Sequence, residues 1–220
     1  MTTTLLIARH GNTFSPDDVL CRVGAGTDLP LVKSGLQQGS YLGLFLREKN
    51  MRLDHVFTSP LQRTQQTAKK ALAALGQNIS LTIDPRFNEI DYGSDEGMPE
   101  TLVQQRLGQK TLQQWDQNAI VPSGWNVNPE KMIQDWQNFG KEMISSYKNQ
   151  TVLVVTSNGT ARFAPYLTGD FEHFKKNHHI KLATGAVCSL TYLDQEQKWQ
   201  VNYWNIKPKN WLEDHNIDIL

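Results

Sequence analysis

The sequence has no excess of charge of either sign, almost no cysteine and no long apolar run. Its 22 Lys and Arg balance 22 Asp and Glu, for a formal net charge of zero. Bulk electrostatic attraction to nucleic acid or to an anionic membrane surface is thereby excluded as a driving force, although a small basic pocket is not. The 2 cysteines, Cys21 and Cys188, lie far apart and supply neither a disulfide framework nor a metal-ligand spacing. The expectation is a pair of reduced thiols in a cytoplasmic protein, with Cys188 in the core. No stretch is long and apolar enough to span a bilayer. Met1-Thr2-Thr3-Thr4 has no basic region, and the apolar run behind it is too short for a secretory signal. Repeats and low-complexity segments are absent from the sequence as well.

What is present is an alternation of short apolar runs and helical patterns. Leu5-Leu6-Ile7-Ala8 reads as a buried strand running into Arg9-His10-Gly11-Asn12-Thr13. Ser34 with Gln37 has the form of a capping box, opening a helix whose small residues suit close packing on a sheet, with Asn50 as its stop. His55-Val56-Phe57-Thr58 is a second strand. Ser59-Pro60 then reads as N-cap and first turn of a helix that ends at Gly76. Leu81-Thr82-Ile83 is a third strand. Two helical stretches broken at Pro122-Ser123-Gly124 occupy Thr101 to Tyr147. Thr151 to Thr156 is the clearest buried strand and leads to Ser157-Asn158-Gly159, followed by a helix through Arg162, Phe163 and Leu167. Ala186 to Leu193 and Trp199 to Trp204 alternate like a hairpin. The pattern predicts an α/β fold on a mostly parallel sheet with an antiparallel edge. A single domain over 1–220 is expected, with a helical insertion at about 94–147. Trp115, Trp125 and Trp136 are expected to cover a small core of that insertion, with Trp125 as a lid residue.

Three strand ends therefore carry polar groups, and open α/β sheets bind ligands at that edge. Arg9 and His10 follow the first strand, and Arg63 lies in the first turn of the helix after the second. Asn158 follows the fourth strand, and the acidic turn Glu89-Ile90-Asp91-Tyr92-Gly93 supplies a carboxyl group. A neutral imidazole can attack phosphorus, guanidinium groups can stabilise the equatorial oxygens, and a carboxylic acid can protonate the leaving alkoxide. Gly11 is expected to let backbone N–H groups approach a phosphate, and the helix start at Ser59 to Arg63 to suit an anion. No cofactor or metal is called for. His173, His178 and His179 follow a helix in a Lys-rich loop that reads as solvated surface, and Arg162 reads as a structural ion-pair residue.

Several ordered segments resemble one family. Arg9-His10-Gly11-Asn12-Thr13 looks like an RHGxT signature, and Asp28-Leu29-Pro30-Leu31 with Gly35 and Gln38 like a D-x-P-L…G…Q stretch. Ser59-Pro60-Leu61-Gln62-Arg63 with Thr67-Ala68 looks like an S-P-L-x-R-x-x-x-T-A helix. Glu89 with Gly93, Glu96 and Gly97 looks like an E-x-x-x-G-x-x-E-G turn. Over most of its length the chain resembles the histidine phosphatase superfamily, in its phosphoglycerate mutase-like, RHG-motif branch. The resemblance implies a three-layer α/β/α sandwich with the helical insertion at about 94–147 over the active site, His10 as the phosphorylated nucleophile and Glu89 as proton donor, with Asp91, Asp95 and Glu96 as nearby rivals. It makes Arg9, Arg63, Asn12 and Asn158 the phosphate ligands.

Two departures stand out. The family has a second catalytic histidine in an S-H-G sequence, where this chain has Ser157-Asn158-Gly159. An asparagine amide can still donate to a phosphate oxygen but carries no charge. A P-x-G-E-S-like segment is replaced by Pro122-Ser123-Gly124-Trp125-Asn126, which implies a different lid and substrate. The turn after Glu89 and the short insertion argue against mutase activity. Two readings stand: a metal-independent phosphatase working through a phosphohistidine, and a weak or inactive relative, a pseudoenzyme, that binds a phosphorylated ligand. The implied partner is a small phosphorylated substrate or a phosphoprotein, with no nucleic acid and no membrane; no oligomeric state is legible.

Overall fold

Six strands form one sheet in the computed structural model, which describes residues 2–217. They are β1 (Thr3–Arg9), β2 (His55–Thr58), β3 (Leu81–Ile83), β4 (Thr151–Thr156), β5 (Val187–Leu193) and β6 (Lys198–Ile206), in the order β3-β2-β4-β1-β5-β6. The first four in that order run parallel, and β5 and β6 add an antiparallel edge. β1 and β4 read as unbroken apolar runs because both faces of the sheet are covered there.

One face is covered by α1 (Lys33–Glu48), α2 (Gln62–Leu75) and α8 (Pro208–Asp214). Leu42, Phe45 and Leu46 of α1 and Ala68, Ala71 and Leu72 of α2 meet Leu6, Ala8, Val56, Leu153 and Val155 of the strands. The small residues of α1 serve helix-on-helix packing instead of the expected approach to the sheet, since Gly43 faces Ala71 and Ala74 of α2.

The stretch 94–147 contains three helices, not two: α3 (Glu100–Leu107), α4 (Gln109–Asn118) and α5 (Pro129–Ser146). Gly108, with φ +78°, separates the first pair. Trp115, Trp125 and Trp136 do not build a small core of their own. They join Phe87, Phe139 and Phe163 in the core on the second face of the sheet, with Leu5, Ile7, Phe57, Val152 and Val154. The reason is periodicity: Trp136, Phe139, Gly140 and Met143 form one buried stripe, so α5 is itself a covering helix of the sandwich.

After β4 the chain forms only a single turn, α6 (Asn158–Ala161), then a 3-10 turn over Ala164–Thr168 that contains Pro165. Proline cannot donate to the α-helical ladder, so the helix expected through Leu167 is broken. His173 lies on α7 (Phe171–Asn177), not in the loop after it. No helix among the described residues is long and apolar enough to cross a membrane.

Candidate active site

Strand register brings the polar segments together. Arg9 pairs with Thr156 and Thr58 with Val155, so β1, β2 and β4 end side by side. The His10 N–H donates to the Thr156 carbonyl at 3.0 Å, which fixes His10 just beyond the sheet. Its Nδ1 lies 2.7 Å from the Gly11 carbonyl. A carbonyl only accepts, so Nδ1 carries the proton and Nε2 keeps its lone pair. The ring is only 6% exposed. Burial, reinforced by the Arg9 and Arg63 charges, holds its pKa well below 6.5. His10 is therefore a neutral imidazole with one committed nitrogen and one available one.

Arg9 donates from Nη1 to the Leu182 carbonyl at 2.7 Å. Arg63 is 0% exposed and donates from Nη1 to Thr27 O at 2.7 Å and from Nη2 to Gly24 O at 3.1 Å. Burial lowers both guanidinium pKa values, yet a guanidinium stays charged in any protein environment. Arg9 Nε, Arg22 Nε, Arg63 Nε and Ser157 Oγ are buried donors with no protein partner among the described residues. Buried donors are ordinarily satisfied, so their concentration here suits an anion.

Asn158 opens α6, and its Oδ1 accepts from the Leu182 N–H at 2.9 Å. That bond assigns the amide orientation and leaves Nδ2 as the donor end on a cavity that Arg9, His10, Asn12, Glu89 and Tyr92 also line. The cavity has a volume of about 740 Å³. Asn12 sits on its wall with its Nδ2 donating to Ser34 Oγ at 3.3 Å and its N–H to Gln38 Oε1 at 2.7 Å. Arg63 is not on the open surface of the cavity; it reaches the site as a charge that lowers the His10 pKa.

Glu89 is distinguished from its rivals by its surroundings. Its Oε1 accepts from Ile90 N at 2.9 Å and its Oε2 from Gly159 N at 3.4 Å, and burial raises its pKa above 4.5. Asp91 accepts from Gly93 N and Asn126 Nδ2. Asp95 pairs with Arg106 and accepts from Trp125 Nε1 at 2.7 Å, and Glu96 accepts from Thr27 Oγ1. Gly159 packs so tightly on this acid that a Cβ there would collide with Glu89 Oε1. Trp125 is thus a buried hydrogen-bonded residue.

Three expectations are corrected. The Gly11 N–H donates to Thr67 Oγ1 at 3.0 Å and does not face a ligand. Glycine is needed there because a Cβ on Gly11 would overlap the Gly35 carbonyl, and one on Gly35 the Asn12 carbonyl. α1 starts at Lys33 with Val32 at its N-cap, and Ser34 accepts from Asn12 instead of capping. The start of α2 is no open anion site: it begins at Gln62, whose N–H donates to Asp28 Oδ1 at 2.7 Å, while Ser59 Oγ accepts from Leu61 N. Arg162 is more than an ion-pair residue. It lies 3.5 Å from Asp116, but its Nη1 donates to Trp115 O at 2.6 Å and its guanidinium sits 3.9 Å from the Trp115 ring centroid.

Arg22, Tyr92 and Lys181 also line the cavity. No motif pointed to Arg22 or Lys181, and Lys181 comes from the stretch that reads as solvated surface. Arg22 pairs with Glu100 and its guanidinium lies 5.1 Å from the Tyr92 ring centroid.

A family model described as the histidine phosphatase superfamily (branch 1) matches residues 5–207. Fructose-2,6-bisphosphatase TIGAR of Xenopus laevis is 40% identical over 97 residues, which are 43% of this chain and 34% of that protein. A 2,3-bisphosphoglycerate-dependent phosphoglycerate mutase of Mesorhizobium japonicum is 25% identical over 84% of this chain and 90% of that one. Among solved structures, mycobacterial glucosyl-3-phosphoglycerate phosphatase superposes with a TM-score of 0.73 at 18% identity, covering 93% of this chain and 99% of that chain. A putative alpha-ribazole-5'-P phosphatase of Escherichia coli gives 0.71 at 20% identity, covering 94% and 98%. Both structural likenesses concern the fold.

Proposed function

The chain belongs to branch 1 of the histidine phosphatase superfamily, and from that premise we propose that it hydrolyses a phosphomonoester through a phosphohistidine at His10. The observation that carries this reading is the protonation pattern. His10 is neutral with Nε2 available, and the same cavity holds Glu89, an acid whose burial favours the protonated form. A base kept neutral and an acid whose pKa is raised are the pair that phosphoryl transfer to histidine requires.

Nε2 of His10 attacks phosphorus as the bond to the leaving oxygen breaks, and Glu89 delivers its proton to that oxygen. Arg9 and Arg63 supply positive charge, and the Asn158 Nδ2 donates to a phosphoryl oxygen. Water then attacks the phosphohistidine. The N–P electron pair returns to Nε2, Glu89 takes the water proton, and orthophosphate leaves. Asn12 shapes the wall beside the phosphate. The chain acts as a single domain in which the 12–23 loop walls the site and Glu100 is the contribution of 94–147 to that wall, and the partner is a small phosphorylated molecule.

The neutral amide of Asn158 favours a second reading, in which a phosphorylated ligand is held with little turnover. Hydrolysis of p-nitrophenyl phosphate by the chain, by His10→Ala and by Asn158→His separates the two. Turnover by the chain that falls at least about 10⁴-fold in His10→Ala is the expected result. An inert chain whose Asn158→His variant is active would replace the phosphatase reading with the binding one.

A further inference from the structure

A second cavity, of about 1040 Å³, opens beside the reaction pocket and shares Arg9, Arg22, Glu100 and Lys181 with it. Whatever is attached to a phosphate at His10 has this space to extend into. One wall is the exposed face of α4. Gln109, Gln113 and Gln117 lie at i, i+4 and i+8, so their side chains share one helix face, and Gln104 of α3 extends the row. None of these four side-chain amides hydrogen-bonds to protein among the described residues. Asn205, on the same cavity, uses its Oδ1 to accept from Ala183 N at 2.8 Å, which leaves its NH₂ end to donate.

The charges around this space are largely cancelled. Arg22 pairs with Glu100, and Lys181 Nζ lies 2.7 Å from Asp116 Oδ2. Among the described residues, Lys207 is the one lysine or arginine on the far wall without an anionic side-chain partner for a second phosphate group to meet. Amides both donate and accept, as hydroxyl groups do. The amide row is also held in place relative to the reaction site. Arg162 ties α4 to α6, donating from Nη1 to Trp115 O at 2.6 Å and from Nε to Asn158 O at 3.3 Å. Lys175 Nζ donates to Asn118 Oδ1 at 2.8 Å at the end of the same helix.

We propose that the second cavity receives the leaving group and that Gln109, Gln113 and Gln117 select a polyhydroxylated one, so that the substrate is a phosphorylated sugar or polyol. This rests on the phosphatase reading for its placement of the phosphate, and the test keeps the two apart. Glucose 6-phosphate and phenyl phosphate are compared on the chain and on a Gln109→Ala/Gln113→Ala/Gln117→Ala variant. Alanine is the best helix former, so α4 is retained. The ratio of kcat/KM for glucose 6-phosphate to that for phenyl phosphate should fall about tenfold or more in the variant, as expected for several lost hydrogen bonds. The same replacements in a His10→Ala background, which does not turn over, should weaken glucose 6-phosphate binding by a similar factor relative to phenyl phosphate. An unchanged ratio in both arms overturns the proposal, as does a preference of the chain for fructose 1,6-bisphosphate that survives the triple replacement. Failure of the chain to hydrolyse any of the three overturns the phosphatase reading alone, and the binding arm then decides the role of the amide row.

Discussion

At the reaction pocket His10 and Glu89, and Arg63 behind it, are buried, and main-chain groups hold each of them. In the cavity beside it, Gln109, Gln113 and Gln117 stand exposed on one helix face with no such restraint. The two regions share Arg9, Arg22, Glu100 and Lys181, so the difference is not one of location. Groups fixed by backbone carbonyls and N–H groups need no rearrangement when charge develops, which is the requirement for stabilising a transition state. Exposed amides must be ordered by each ligand they bind, and that cost limits their contribution to affinity. Chemistry is assigned to the rigid region and selectivity to the adaptable one.

The comparison breaks most sharply at Glu89. Replacing Glu89 with Gln should lower kcat by about 10² to 10⁴ on an alkyl phosphate, because a general acid is lost. The pH profile sharpens the point. Neutral His10 has a pKa well below 6.5, so the acidic limb of kcat/KM should lie below pH 6.5. Glu89 is raised above 4.5, so its acid form is lost, and the rate falls, as pH rises through its folded pKa. In Glu89→Gln that alkaline limb should vanish, and a limb that persists unchanged would assign the proton donor elsewhere. The stability signs are opposite for the two groups. The His10 contribution is lost as pH drops from 6.5 toward the folded value, and the Glu89 contribution as pH rises from 4.5 through its own.

A smaller break should come from Gly159→Ala, which removes no functional group. The added methyl meets Glu89 Oε1 and the Ile90 side chain, so the acid must move. A displacement of about 1 Å costs on the order of 10² in rate, and steady-state kinetics with unchanged secondary structure by circular dichroism would show it. Wild-type activity in that variant would mean Glu89 tolerates relocation, contrary to a rigid pocket. The smallest effect is expected on the shared wall. Lys181 is 55% and Asp116 34% exposed, so Lys181→Ala should lower stability by less than about 1 kcal/mol in denaturant titration. Its influence on KM should shrink as salt is raised, since an exposed charge is screened.

The strands were legible because β1, β2, β3 and β4 are apolar runs ended by polar residues, and the strand ends located the site. The helix starts were misread where the partner is distant in sequence: Asp28 at the start of α2, Asn12 at Ser34 and Thr67 at Gly11. Local pattern cannot show that a side chain or N–H is already engaged. Glu89 could be separated from Asp91, Asp95 and Glu96 only by partners, since the rivals are engaged by the Asn126, Arg106 and Thr27 side chains and Glu89 by main-chain N–H groups, which the turn sequence does not encode. Arg22 and Lys181 were missed because loops carry them to the cavity without a periodic signature.

The backbone contact between Gly11 and Gly35 has a consequence for how activity is lost. The nucleophile loop has no side-chain cushion against the start of α1, its N–H is tied to α2 through Thr67, and His10 is tied to β4 through Thr156. Three elements would have to separate before His10 could swing free, so the loop has no low-energy opening of its own. Inactivation by denaturant is therefore expected to coincide with global unfolding, and activity lost before the sheet melts would reveal an independent opening of the nucleophile loop.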